Sequence, residues 1–143
     1  MNKTLTELFA EQYHLCKLGA GNIVGIISEF GQKEAYVAAA VAAARQVGAS
    51  PLVLTASSLS NPVLPPYKSS NPEVPALLAG AGECDLIIDV TVGGLIHSDV
   101  RTRITGAGKR MLFVHEPADV LQRLMGTELV RKRVQDAADV LQS

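Results

Sequence analysis

Two kinds of hydrophobic pattern take turns along the chain. Leu5, Leu8, Phe9, Gln12 and Cys16 recur at three- and four-residue intervals behind Thr4 and Glu7, a pair with capping-box spacing. They predict a helix over 5–17, closed by Gly19-Ala20-Gly21. Residues 22–28 then change period: Ile23, Val24, Ile26 and Ile27 form a short, almost continuous apolar run with a β-branched bias. Such a run predicts a strand buried on both faces. Gly31-Gln32-Lys33-Glu34 opens an Ala-rich helix that runs to Val47, with Gly48 at its C′ position. Residues 51–55, with Leu52, Val53 and Leu54, form the next strand.

The segment 57–72 breaks this alternation. It holds five Ser, two Asn and four Pro, and structureless connectors of that length inside a compact domain are usually functional or disordered. Asn71-Pro72 supplies a cap and a first-turn proline for a short helix to Ala81. A third strand follows over 84–92 (Leu86, Ile87, Ile88, Val90, Val92), then Gly93-Gly94, a helix over 98–107 and a fourth strand over 110–114. Pro117 starts a short helix through Leu124. A last helix from Thr127 carries Val130, Val134, Ala137, Ala138 and Leu141 on one stripe.

Strand, helix and strand joined by brief links make right-handed parallel βαβ units. The fold predicted is α/β: a Rossmann-like three-layer sandwich with a four-stranded, mostly parallel sheet, in one domain covering 1–143. Ligands of such sheets bind beyond the carboxyl ends of the strands, near the switch in strand order. Here those ends are Ser28-Glu29-Phe30, the loop from Ser57, the segment 92–97, and His115-Glu116-Pro117.

Composition narrows the classes of function. A chain of 143 residues with 48% hydrophobic side chains buries roughly two-thirds of its unfolded surface and needs no metal or disulfide to hold a core. Aromatic residues make up only 4%, with no Trp, which suits stacking on single-stranded nucleic acid poorly. Thirteen basic against 14 acidic residues leave a net charge of −1, too little to attract nucleic acid or an anionic membrane. The densest basic run, Arg131-Lys132-Arg133, is followed by Asp136 and Asp139 and is read as a solvated helix face. Cys16 and Cys84 stand far apart outside any CxxC pair and are expected to be buried free thiols. No apolar run follows the N-terminal charge, and the stretch 35–44 is too short to span a bilayer. The expected location is the cytoplasm.

The segment Gly93-Gly94-Leu95-Ile96-His97-Ser98 is the most suggestive chemically. Two glycines at a strand end let backbone approach a ligand, and an imidazole suited to acid–base work follows. A tight turn whose histidine faces solvent or caps a helix fits the same residues, and a lone histidine does not decide between them. His115-Glu116 closes the fourth strand; with His97 it offers two imidazoles and a carboxylate, the set used by mononuclear iron sites. His115 ending its strand at the surface is the simpler reading. His14 is expected on the surface of the first helix, and Asp89 in a partly buried, hydrogen-bonded structural role. The turn Ser28-Glu29-Phe30-Gly31-Gln32 lacks the G-x-G-x-x-G of dinucleotide sites, and no Walker sequence is present.

Several of these segments together resemble a known family. Leu18-Gly19-Ala20-Gly21-Asn22, Ser28-Glu29, and Asp85-Leu86-Ile87-Ile88-Asp89 leading into Gly93-Gly94-Leu95-Ile96-His97-Ser98 are similar to the N-terminal domain of 2,5-dihydroxypyridine 5,6-dioxygenases. Glu116-Pro117, with Leu121 and Arg123 behind it, extends the likeness over nearly the whole chain. That family looks related to the thermophilic-type metalloaminopeptidases. The resemblance implies the N-terminal domain of a longer enzyme whose metal ligands lie in a separate C-terminal domain. It implies no cofactor bound by this chain alone, and Fe(II) or another divalent metal in the full-length enzyme.

Carried over by position, His97 becomes the proton-handling residue, acting partly across a subunit interface. Gly94, Leu95 and Ile96 then become the substrate contacts, the last two as apolar contacts to the pyridine ring. The substrate implied is a small aromatic N-heterocycle, and the enzyme implied is a non-haem Fe(II) ring-cleaving dioxygenase, with the 143-residue chain inactive alone. Two other readings stay open: the matching domain of a metal-dependent aminopeptidase, and a non-catalytic binding or oligomerisation module. Self-association as a homo-oligomer is expected, because the stripes on the first and last helices need a cover.

Overall fold

The structure, a computed structural model, describes residues 2–57, 59, 71–124 and 126–142. Most of the Ser/Pro-rich segment 57–72, expected to be functional or disordered, lies outside the described residues. The described elements run α1 (Leu5–Leu15), β1 (Ile23–Glu29), α2 (Glu34–Gln46), β2 (Ser50–Ala56), α3 (Val74–Ala81), β3 (Leu86–Asp89), α4 (Asp99–Gly106), β4 (Arg110–Phe113), α5 (Ala118–Leu124) and α6 (Glu128–Gln142).

The four strands form one sheet in the order β2-β1-β3-β4, and every pairing is parallel. The antiparallel option left by "mostly parallel" is not used. β1 is central and buried over Val24–Glu29, as its uninterrupted apolar run requires. Alternate β1 side chains feed two cores. Val24 and Ile26 pack with Phe9 and Tyr13 of α1 and the alanines of α2, whereas Ile27 packs with Leu77 of α3 and Val100 and Ile104 of α4. These are the three layers expected.

Local chemistry moves several boundaries. The Thr4/Glu7 capping box is present, with Glu7 N–H donating to Thr4 Oγ1 at 3.1 Å. α1 ends at Leu15, before the glycines, because Lys17 takes a left-handed φ of +61° and Leu18 N–H returns to Tyr13 O. α2 begins at Glu34, not at Gly31: Gly31 and Lys33 both have positive φ and shape a turn out of β1. Pro72 is not in the first turn of α3; Pro75 is, and Asn71 Oδ1 accepts the Glu73 N–H at 2.8 Å. β3 is four residues long, because Asp85 turns aside to accept Ile23 N–H and Thr91 is captured by the Asp89 side chain.

The two helices expected to need an external cover behave differently. The α1 stripe is buried inside the chain, with Phe9 and Tyr13 at 0% exposure. α6 has no buried residue among those described, and the basic run 131–133 lies exposed on it as expected. Among the described residues no helix is long and apolar enough to cross a membrane.

Candidate functional site

In this strand order the chain leaves β1 toward β2 and leaves β3 toward β4, so the switch point lies between the carboxyl ends of β1 and β3. In many such folds an anion or cofactor takes up the free backbone N–H groups of that crevice. Here a side chain of the chain itself does so. Glu29, the last residue of β1, accepts the Val92 N–H at 2.9 Å through Oε1 and the Leu59 N–H at 2.8 Å through Oε2. One carboxylate thus ties the β2–α3 connection to the β3–α4 connection.

Asp89, at the end of β3, is fully buried and gathers its own loop. Its Oδ1 accepts from the Thr91 N–H (2.9 Å) and hydroxyl (2.6 Å), and its Oδ2 accepts the Leu95 N–H at 2.7 Å. The hydrogen-bonded structural role expected for Asp89 is what these contacts describe. Gly94 sits in this turn with φ +77°, a conformation that favours glycine. Beyond it Leu95 points inward at 0% exposure, whereas Ile96 is 42% exposed and His97 is exposed. Ser98 caps α4: its hydroxyl donates to Leu95 O and accepts the Arg101 N–H.

The structure therefore separates the residues singled out from the sequence. Gly94 shapes the turn, Leu95 belongs to the core beneath it, and Ile96 and His97 reach the carboxyl-end rim. An apolar contact from Leu95 to a ligand is not open in this conformation, because its side chain packs in the α3–α4 core. Phe30, 65% exposed after β1, and Val92, 53% exposed after β3, add apolar surface to the connections at the same rim. Two hollows of about 380 Å³ each flank Phe30, and His97 lines neither.

His115 departs from the surface position expected of it. Its ring is only 25% exposed and turns back under the β3–α4 connection, with Nδ1 3.1 Å from Thr91 O and Nε2 3.2 Å from Asp89 Oδ2. The second approach is poorly angled, and Nε2 makes no hydrogen bond among the described residues. The start of α2 secures the strand end behind it: Lys33 Nζ donates to His115 O at 3.3 Å and Tyr36 Oη donates to Glu116 O at 2.7 Å. Burial pulls the Lys33 ammonium below the usual lysine range, while Asp89, Glu116 and Glu29 act in the opposite direction.

Among the described residues no three His, Cys, Asp or Glu side chains converge to hold a metal ion, so the His97, His115 and Glu116 set is not assembled. Cys16 and Cys84 are free; Cys84 is buried as expected, whereas Cys16, at the end of α1, is only half-buried. Burial, the largest influence on each, pushes both thiols up, away from nucleophilic use. His14 is exposed on α1, as expected.

Residues 4–143 match the family model described as NicX, 2,5-dihydroxypyridine 5,6-dioxygenase. The chain belongs to this family. Its fold also matches that of 2,5-dihydroxypyridine dioxygenase from Pseudomonas putida KT2440, with a TM-score of 0.76 and 24% sequence identity over 96% of the chain. At that identity the likeness concerns the fold alone. The chain spans 41% of the length of that protein. No curated protein matches it. The family is described as one of dioxygenases acting on a small molecule, and the described residues of this NicX-family chain hold no set of metal ligands.

Sequence reasoning missed Glu29 and His115 as organisers of the rim. An acid closing a central strand was the available signal for Glu29. Nothing local signalled His115, whose partners lie on another strand end.

Proposed function

We propose that this chain is the N-terminal, substrate-site-contributing domain of a cytoplasmic, homo-oligomeric, non-haem Fe(II) ring-cleaving dioxygenase acting on a dihydroxypyridine, with His97 as its proton-handling residue. The observation that carries the proposal is an exposed imidazole at the carboxyl rim, on a turn whose backbone is fixed by a buried carboxylate, in a chain of the NicX family.

His97 accepts the proton of a ring hydroxyl as the substrate is activated, a task suited to imidazole near neutral pH. Ile96 offers an apolar contact to the ring, and Gly94, at φ +77°, allows the turn that brings Ile96 and His97 to the rim. Leu95 supports this surface from beneath. Fe(II), or another divalent metal, finds no ligand set among the described residues. The part proposed for this domain is proton transfer and shaping the ring's surroundings.

In the full-length enzyme, His97→Ala should lower dihydroxypyridine turnover by about 10²- to 10⁴-fold, the usual contribution of a positioned acid–base group. Unchanged turnover removes the role. Sedimentation of the full-length enzyme as a monomer would remove the oligomer.

A further inference from the structure

The turn that carries His97 is held from the side by a residue the proposed chemistry does not use. His115 Nδ1 lies 3.1 Å from Thr91 O. A carbonyl only accepts, so Nδ1 carries the hydrogen. Nε2 lies 3.2 Å from the fully buried Asp89 carboxylate. The same face of the ring fills the space beside Gly94, where an added Cβ would stand 2.9 Å from Nε2. One imidazole thus meets the turn at two points, Thr91 and Gly94, and also lies against Asp89, to which the turn's inner side is already bonded at Thr91 and Leu95. Behind the ring, the 115–116 backbone is anchored to α2 by Lys33 and Tyr36. A line of contacts runs from α2 through His115 to the turn, and two residues after Leu95 comes His97.

We propose that His115 is a positioning residue: its ring wedges the Thr91–Leu95 turn against the Asp89 carboxylate and so sets where the His97 imidazole stands at the rim. The proposal rests on the reading of His97 given above, but the wedge has a physical consequence of its own. A loop held on both sides opens rarely, so the amides of Val92 and Leu95 should be protected from hydrogen exchange. Removing the ring takes away one side of the support, while Asp89 keeps the other. The chain should fold, the turn should loosen, and the misplaced imidazole should transfer its proton less often. Outer residues that orient a reacting group typically contribute about 10- to 100-fold, and a displacement of about 1 Å is enough to cost that much.

The test uses the full-length enzyme in four forms: unaltered, His115→Ala, His97→Ala, and the double variant. His115→Ala should lower kcat by about 10- to 100-fold with KM within about threefold, and should speed exchange at Val92 and Leu95 by about tenfold or more. In the residual activity of His97→Ala, adding His115→Ala should cost nothing further, because its effect is transmitted through His97. A folded His115→Ala enzyme with unchanged kcat, an equal further loss in the His97→Ala background, or unaltered exchange at the two amides would each overturn the proposal. Full turnover by His97→Ala alone would instead remove the reading of His97, and exchange would then decide whether the wedge exists. Should His115→Ala not fold, His115→Asn carries the same measurements. It keeps a donor for Thr91 O and loses the approach to Asp89, so it should show a smaller loss of the same kind.

Discussion

Helices α1 and α6 carry similar amphipathic stripes, yet only one is covered. On α1, Leu8, Phe9 and Tyr13 are sealed against α2 and the sheet, with the Phe9 and Tyr13 rings one turn apart, tilted at 42° with centroids 6.1 Å apart. On α6, Val130, Val134 and Leu141 follow the same spacing and stand 47%, 63% and 86% exposed. Its visible support is local, such as the bidentate contact of Arg131 with Glu128 one turn away, an exposed pair of the kind that contributes little. Periodicity therefore identifies the face of a helix that seeks cover. It does not say whether the cover belongs to the same domain.

The contrast is sharpest if the buried stripe is cut. Phe9→Ala removes a fully enclosed ring from the α1–α2 core and leaves a cavity that close-packed neighbours fill only in part. The unfolding free energy of the chain should fall by about 3–5 kcal/mol. Urea denaturation at constant m-value measures it, and a loss below about 1 kcal/mol would mean that α1 is not integral to the core.

Burial of the α1 stripe also has a pH signature. The Tyr13 hydroxyl donates to Ala40 O at 3.2 Å inside the core, and burial, reinforced by the Cys16 charge, pushes its pKa well above the usual 10. Below pH 10 both folded and unfolded chains keep the phenolic proton. Above it the unfolded chain releases that proton while the folded chain holds it, so stability falls as pH rises, by about 1.4 kcal/mol per pH unit. The thiols of Cys16 and Cys84, also raised, add a slope of the same sign from their ordinary value of 9. The informative quantity is therefore the difference from Tyr13→Phe, which should be less steep than the parent between pH 10 and 11. Parallel curves would show that the phenol is not enclosed.

These two regions also show what a sequence can disclose. The central strand was legible because burial on both faces leaves a continuous apolar run, and Ile23–Glu29 lies within one residue of its expected place. The rim was legible in part. Two glycines and a histidine after a strand marked the turn, and Asp89 reaches Leu95 only six residues on. His115 was opaque because its role exists only once β3 and β4 lie side by side, which brings Thr91 and Gly94 to a residue more than 20 positions away. The inward placement of Leu95 was hidden for a related reason: the conformation of the Gly94 turn decides which of three consecutive side chains enters the core.

The smallest effect belongs to the exposed helix, and there the same substitution in two settings tells most. Val134→Glu in the 143-residue chain removes no buried surface, replaces a β-branched residue with a better helix former and adds an acid three residues after Arg131. Its unfolding free energy should stay within about 0.5 kcal/mol of the parent. A loss above about 1 kcal/mol would mean that α6 folds back onto the domain in solution. In the full-length enzyme the stripe has the rest of the polypeptide, or a second subunit, available to cover it. If either does, the same change places a carboxylate in an apolar contact and forfeits about 1.5–3 kcal/mol of side-chain burial. Gel filtration of that variant separates the two covers: dissociation assigns the stripe to a subunit interface, and an unchanged oligomer with lowered stability assigns it to the chain's own remaining part.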